Sequence, residues 1–523
     1  MAATSADSTL NLPELVGSMA LATDLAMGHP IEQGLGTCIM STRLAELAGL
    51  SDAERERTYY LALLRHIGCT TENESLAQIS GDEIALAGRM APLSGARAST
   101  YIRTMIRAGT EGMAPLPAAM ALGRLLIGMR DFDAVNRAIC EVAQLLAARL
   151  GLDELVVAEI AAVYERWDGG GFPNHLKGEA LPLTIRLTQV ADLATVLHDL
   201  GHEDPARVVG ERAGTGFDPA VVDLFRKHAA DLLGELDGPS RWQSVTELQP
   251  GRRPVAPEEQ ADVLQVVADF ADLKSPFLVG HSSGVARLAE DAAAKVPLPA
   301  SDVAEVGHAA LVHDLGRVGV TTRIWGKAGP LDAGEWEAVR LHPYHTERLL
   351  ARAPYLQRLS SIAGMHHERM DGSGYVRGVV SERQSPAARL LAAADVYHAM
   401  IEPRPHRPPK THDQARAELE REVRDGKLDR PSVDATLEAA GHPPTRRKRY
   451  TADLTAREIE VLRLVARGRS TKGIAQLLVI SPKTADNHLR SIYGKVGAST
   501  RAAATVFAMQ HGLVEPTTEP GER

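Results

Sequence analysis

The chain has 523 residues, 44% of them hydrophobic, three cysteines and a net charge of −9. That length exceeds one hydrophobic core and calls for about three domains, while the composition excludes a largely disordered chain. Cys38, Cys69 and Cys140 suit neither a disulfide framework nor a zinc knuckle, no stretch reaches the ~20 apolar residues of a membrane span, and Met1–Leu12 lacks the basic and apolar regions of a signal peptide, so a cytoplasmic protein without a membrane partner is expected.

The charge is uneven. Thr445 to Arg523 carries 14 Lys and Arg against 7 Asp and Glu, which leaves the body acidic and the tail basic, as a polyanion-binding module would be. Amphipathic helical periodicity dominates and no alternating strand runs stand out, so the fold class expected is all-α. Pro and Gly clusters divide the chain into an N-terminal half (10–240), a linker (241–258), a middle domain (259–440), a basic linker (441–451) and a short tail (452–515).

The first two parts read as diverged copies. Trp167 to Pro173 (WDGGGFP) resembles Met370 to Val376 (MDGSGYV), and each is followed at the same spacing by an aspartate, Asp192 or Asp395. Ala62 to Gly68 (ALLRHIG) likewise resembles Ala310 to Gly316 (ALVHDLG). The first copy lacks the ligand types. Arg65 and His66 stand for His and Asp, and Val163 and Tyr164 precede Glu165 where a His pair would be. His29 marks the place of a first ligand. One His and one Asp cannot hold two metals, so this half is expected to serve packing, dimerisation or small-molecule sensing. The string His198-Asp199-Leu200-Gly201 matches His313 to Gly316, but it falls beyond Asp192, after a site in that register would be complete. No metal is expected there.

The middle domain carries an ordered ligand set. His281 opens a helix with Val285, Leu288 and Ala292 at helical spacing. Asp302 and Glu305 form a capping-box pattern before the helix that delivers His313 and Asp314, and Asp332 and Glu335 repeat it before a helix ending near His342, where Pro343 disfavours continuation. His366 and His367 follow, with Asp395 in a further helix. Imidazole and carboxylate suit Fe, Mn, Zn or Ni. A carboxylate can bridge two ions, and a pair about 4 Å apart can polarise a phosphoryl oxygen and activate water. His308, His345 and His398 fall outside the set.

In the tail, Thr455 and Glu458 form a capping box ahead of an apolar stripe (Ile459, Leu462, Val465) closed by Gly468. Ile474, Ala475 and Leu478 mark a second helix. Ser481 and Pro482 start a third that buries Ala485, Leu489, Ile492 and Val496. Lys483, Thr484, Asn487, His488 and Lys495 are left outward, the arrangement a DNA major groove accepts.

These motifs resemble two known families. FADLKSPFLVGHSSGVA from Phe270, VHDLGRVGV from Val312, GKAGPLDAGEWEAVRLHP from Gly326, MHHERMDGSGY from Met365 and AADVYHAM from Ala393 are similar to HD-GYP domains, all-helical HD phosphohydrolases that cleave cyclic dinucleotides with two or three metals. The resemblance implies one metal on His281, His313, Asp314 and Asp395, and a second, bridged by Asp314, on His342, His366 and His367. It implies Asp314 and Arg317 in catalysis, and Asp371, Gly372, Gly374, Tyr375, Arg404 and Arg407 around the substrate. Departures are Arg317 for Lys, Val376 for the last Pro, His398 for a second Asp and Phe277 for the Glu of three-metal members, so two divalent transition-metal ions are expected, Fe or Mn before Zn or Ni. Leu454 to Ala504 resembles the LuxR-type helix-turn-helix, which implies four helices, double-stranded DNA as partner and a homodimer through the last helix, Arg501 to His511. Ala485 and Asp486 stand where Val and Lys are usual. The reading is a transcription regulator with a phosphodiesterase domain; the alternative is a regulator whose HD domains only bind a ligand or dimerise.

Overall fold

The computed structural model describes residues 9–70, 81–110, 132–442, 454–466 and 469–498, with Ala504, Phe507, Ala508 and Leu513. Among them every extended element is a helix, and the only β contacts are isolated bridges. Met1–Pro443 forms one compact unit and Pro444–Arg523 another.

In the larger unit each half is built around one helix that is buried on nearly all sides. Leu183–Asp199 (LTIRLTQVADLATVLHD) buries every residue from Thr184 to Leu197 except Arg186, and packs on Gln33–Leu47 and Asp52–Leu64. Pro386–Ile401 (PAARLLAAADVYHAMI) packs on His281–Ala293, with Ala300–Val312 and Arg430–Ala439 beside it. A helix apolar all round is driven to the centre of its domain. Asp192 and Asp395 sit mid-way along these helices, so each carries a carboxylate into the interior.

One core runs through both halves. Leu25 of the Leu12–Ala26 helix packs where a Cβ on Gly319 would stand. Lys274 meets Glu83 at 3.0 Å with both side chains buried, and Glu83 also accepts from the Thr322 backbone N–H at 2.7 Å. The expected linker 241–258 is not a free tether. Arg241–Leu248 is a helix, and Leu12 N–H donates to the Arg253 carbonyl and Val255 N–H to that of Leu10. The Pro- and Gly-rich composition marks irregular backbone there, but the terminal segment satisfies its polar groups and ties it down.

Two helix boundaries also differ from expectation. Asp302 lies in the first turn of Ala300–Val312, whose N-cap is Pro299, so no capping box forms with Glu305. Asp332 and Glu335 do form theirs, over Ala333–Arg340. His342 then opens a new helix, His342–Leu350, in which Pro343 occupies the first turn; a proline there needs no N–H partner and starts a helix as readily as it ends one.

The smaller unit has Ala456–Ala466, Thr471–Leu477 and Pro482–Val496 around a core of Ile459, Leu462, Val465, Ile474, Ala485, Leu489 and Ile492. Thr455 and Glu458 cap the first helix reciprocally, and Ser481 caps the third. Gly468 and most of Arg501–His511 lie outside the described residues; Ala504 and Ala508 are buried in this core.

Candidate metal centre and DNA-reading helix

The seven ligand-type residues of the middle domain converge. His281 heads its helix behind Gly280, which takes a φ of 81° that a non-glycine residue would resist. His313 and Asp314 leave the end of Ala300–Val312, His342 opens its helix, and His366 and His367 follow the helix Pro354–Ala363. All are buried except His367, which is half-buried.

Asp314 is the hinge of the geometry. One carboxylate oxygen, Oδ2, lies 3.3 Å from His281 Nε2 and 2.9 Å from His313 Nε2. The other, Oδ1, lies 3.3 Å from His342 Nε2 and 3.5 Å from His366 Nε2. Asp395 turns Oδ1 to His281 at 3.3 Å and Oδ2 to His367 Nδ1 at 3.8 Å. The ring tautomers are set from behind. Nδ1 of His313, His342 and His366 lies 2.6 Å from the backbone carbonyls of Ala310, Val339 and Ala363, so Nδ1–H donates outward and Nε2 presents a lone pair inward.

His281 Nε2, His313 Nε2, both Asp314 oxygens and Asp395 Oδ1 are buried without a hydrogen-bond partner. Buried polar atoms are ordinarily satisfied, so these atoms, gathered on both sides of Asp314, fit bound cations. Among the described residues, groups that could each hold an ion are His342, His366 and His367; His281, His313 and Asp395; His313, Asp314 and His366; and, on the other side of the His281 ring, His281, His398 and Glu402, which brings in His398 from outside the expected set. Burial holds His342 down at about 4 and, with His366 beside it, holds His367 well below the ordinary imidazole value, so both are neutral donors. Burial would raise the Asp314 carboxyl, but Arg317 and His313 reverse that and keep it ionised.

Around this centre, Arg317 brings Nη1 2.6 Å from Asp314 Oδ2 and lies over the Trp325 ring, with Nε lacking a hydrogen-bond partner. Arg404 donates to Glu402 at 2.8 Å beside His281. Arg407 instead donates to the backbone carbonyls of Ala399 and Met400, which directs its guanidinium to closing a loop. Asp371 accepts from the Ser373 N–H and hydroxyl, Gly372 has a φ of 79°, and a Cβ on Gly374 would collide with the backbone of Glu368 and Arg369. These three shape the loop, and Tyr375 lays its ring 4.7 Å from that of His367.

The N-terminal half repeats the framework with other side chains. Asp24 accepts from the N–H ten residues on, at Gly34; Asp272 does so from Ser282. Glu165 accepts from the N–H groups nine and eleven residues on, Asn174 and Leu176; Glu368 does so from Arg377 and Val379. A Cβ on Gly68 would strike the Ile139 carbonyl, and on Gly316 the His342 carbonyl. His29 hydrogen-bonds Gln33 at 3.0 Å, and Gln33 donates to Asp192 at 3.1 Å. Arg65 lies 3.1 Å and His66 3.5 Å from Asp192. His198 pairs with Asp237 at 3.0 Å and Asp199 with Arg241, away from any ligand group among the described residues.

In the tail helix, Lys483, Thr484 and Asn487 are exposed and His488 half-exposed. Thr484 shares a hydroxyl contact with Ser481, Asp486 pairs with Arg490 at 3.1 Å, and Lys495 is held 2.8 Å from the buried Glu458.

Residues 265–431 match the HD domain family, and residues 452–508 match the bacterial regulatory proteins of the luxR family. A curated relative, 3'3'-cGAMP-specific phosphodiesterase 3 of Vibrio cholerae serotype O1, is 29% identical over 424 residues, 79% of this chain and 92% of its own length. A cyclic di-GMP phosphodiesterase of Thermotoga maritima is 35% identical over 178 residues, 34% of this chain and 47% of the relative. The crystal structure of a cyclic GMP-AMP-specific phosphodiesterase of V. cholerae, V-cGAP3, superimposes with a TM-score of 0.58 at 25% identity over 84% of this chain and 99% of that one. No described helix is long and apolar enough to cross a membrane.

Proposed function

We propose that this chain, in which an HD domain homologous to cyclic-dinucleotide phosphodiesterases is joined to a LuxR-type helix-turn-helix, is a cytoplasmic transcription regulator that hydrolyses a cyclic dinucleotide. The observation that carries the reading is Asp314, whose two oxygens face two separate sets of imidazoles, with Arg317 as its cationic neighbour on one side. His281, His313, Asp314 and Asp395 would hold one divalent transition-metal ion, and His342, His366, His367 and Asp314 the second. Bound there, such ions supply Lewis-acid activation of a phosphoryl group and of the attacking water.

The chain's own residues bind and orient the substrate. Arg317 and Arg404 place two guanidinium groups beside the centre, matched to phosphate oxygens. The guanidinium of Arg317 offers several N–H donors to a charged oxygen and serves charge stabilisation, not proton transfer. Tyr375, beside His367, offers a face to a base or ribose. The N-terminal half is read as a degenerate copy in which Arg65 supplies the positive charge that metals supply opposite it. The tail presents Lys483, Thr484, Asn487 and His488 to a DNA groove, while Lys495 serves the tail's own fold through Glu458; homodimerisation is assigned to the last helix.

Turnover of cyclic di-GMP and 3'3'-cGAMP by full-length protein loaded with Mn or Fe tests the reading. A linear dinucleotide product that D314A does not form is expected; a metal-loaded protein that cleaves neither overturns it. For the tail, K483A is expected to weaken DNA binding and lower its salt dependence by about one phosphate contact. Unchanged DNA affinity after removal of residues 444–523 would refute that assignment.

A further inference from the structure

His281 stands apart from the other ligands. His313, His342 and His366 each rest Nδ1 on the backbone carbonyl three residues before them. His281 does not: it is the first residue of its helix, its backbone N–H donates to the Leu278 carbonyl at 2.9 Å, and its ring turns Nδ1 away from that carbonyl to Glu402. Its ring is fully buried, so Nδ1 needs another acceptor. Glu402 supplies it, with Oε2 2.9 Å from His281 Nδ1.

The carboxylate is itself held on two sides. His398 Nδ1 lies 3.0 Å from its other oxygen, and Arg404 donates to Oε2 at 2.8 Å. Gly284 makes room for this arrangement, since a Cβ there would collide with the His398 ring. Glu402 lies just past the helix that carries Asp395, so one short segment delivers both a ligand-type carboxylate and the acceptor behind the facing imidazole.

We infer that Glu402 is a positioning residue for His281: it accepts the Nδ1 proton, fixes the tautomer that turns the Nε2 lone pair toward Asp314 and Asp395, and is itself aimed by His398 and Arg404. The inference rests on the metal-centre reading above. A carboxylate behind a ligating imidazole fixes ring orientation and raises its basicity, and its removal typically costs about 10–100-fold in metal affinity.

The test uses full-length protein and measures Mn and Zn content by elemental analysis and affinity by chelator competition, with circular dichroism as the control for folding. E402A is expected to lose about 10–100-fold in affinity for the first ion added or the last removed. E402Q keeps an acceptor oxygen in place and is expected to recover most of that loss, which a general packing defect at this position would not show. H398A, which removes one clamp and leaves the carboxylate, is expected to lie between wild type and E402A. Wild-type affinity in a folded E402A overturns the inference, as does E402Q falling to the level of E402A. An additional bound ion in wild type that E402A loses also overturns it, because Glu402 would then be a ligand with His281 and His398. Wild-type protein that binds no transition metal would bring down the metal centre itself, and this inference with it.

Discussion

The two halves of the larger unit answer the same problem, a carboxylate buried in the middle of a central helix, in opposite ways. Around Asp395 the protein gathers imidazoles and a second carboxylate and leaves their inner atoms without partners. Around Asp192 it brings Arg65, His66 and Gln33 and closes the charge internally. Removing two charges from water costs several kcal/mol per ion unless they are paired well. The backbone details that position these groups recur at the same spacings, down to the carboxylates of Glu165 and Glu368 that tie the following loop. What differs is the set of side chains gathered around each aspartate.

The largest expected effect breaks the symmetry outright. D314A should release both ions and abolish hydrolysis, because each of its oxygens serves one ligand set. D192A should leave metal content at the wild-type value. Elemental analysis of the two variants side by side decides it; equal metal loss in both would mean that the halves share one centre.

The distinction between the halves was largely legible in the sequence, and for a physical reason. Metal ligands are few residue types at positions fixed by helix starts and ends, so His281, His313-Asp314, His342, His366-His367 and Asp395 stand out as an ordered set. The all-helical class followed from 3.6-residue periodicity. Other features depend on contacts distant in sequence. His29 was read as the counterpart of the first ligand because it is a histidine, but helix Gln33–Leu47 starts after Glu32 in a left-handed conformation, and it is Gln33 that donates to Asp192. Glu402 carried no motif; only the missing carbonyl partner of His281 reveals its use. Glu83, buried against Lys274 from the opposite half, had no local signal at all. Segment 241–258 read as a linker because its composition is irregular, which says nothing of whether a distant strand of backbone satisfies it.

The next effect is on stability. R65A leaves Asp192 buried with one cation fewer, a loss of about 3–5 kcal/mol for breaking a buried pair. The double variant R65M/D192L, which removes both charges and keeps apolar volume, should recover most of it. Denaturant unfolding of the three proteins measures the difference. If R65A costs under 1 kcal/mol, Arg65 is not the internal counter-charge.

A smaller effect separates the halves by pH. Burial works against a charged His66, but hydrogen bonds and charge from Asp192 raise its pKa to about 9. A folded pKa above the unfolded value, near 6.5, means that this stabilisation is complete below pH 6.5 and is lost as pH rises through about 9. The melting temperature of wild type should therefore fall toward that of H66Q between pH 6.5 and 9, with metal content unchanged. A gap between the two proteins that stays constant with pH would rule out the charged imidazole.

The smallest expected effect is none, and it sharpens the comparison most. His198-Asp199-Leu200-Gly201 repeats the string His313 to Gly316 letter for letter, yet its surroundings differ in every respect that matters to an ion. It sits at the C-terminal end of helix Leu183–Asp199, past Asp192, and belongs to no ligand group among the described residues. His198 points to the exposed Asp237, and Asp199 is taken by the guanidinium of Arg241, which anchors helix Arg241–Leu248. A metal would have to displace that guanidinium and recruit ligands that are not there. H198A/D199A should accordingly keep wild-type metal content and any hydrolysis, and lower the melting temperature only by the loss of the Arg241 contact. H313A/D314A should lose both metal and hydrolysis. Loss of metal from the first variant, with its helical content intact, would show that the string itself recruits an ion, and the register that sets Asp192 opposite Asp395 would have to be abandoned.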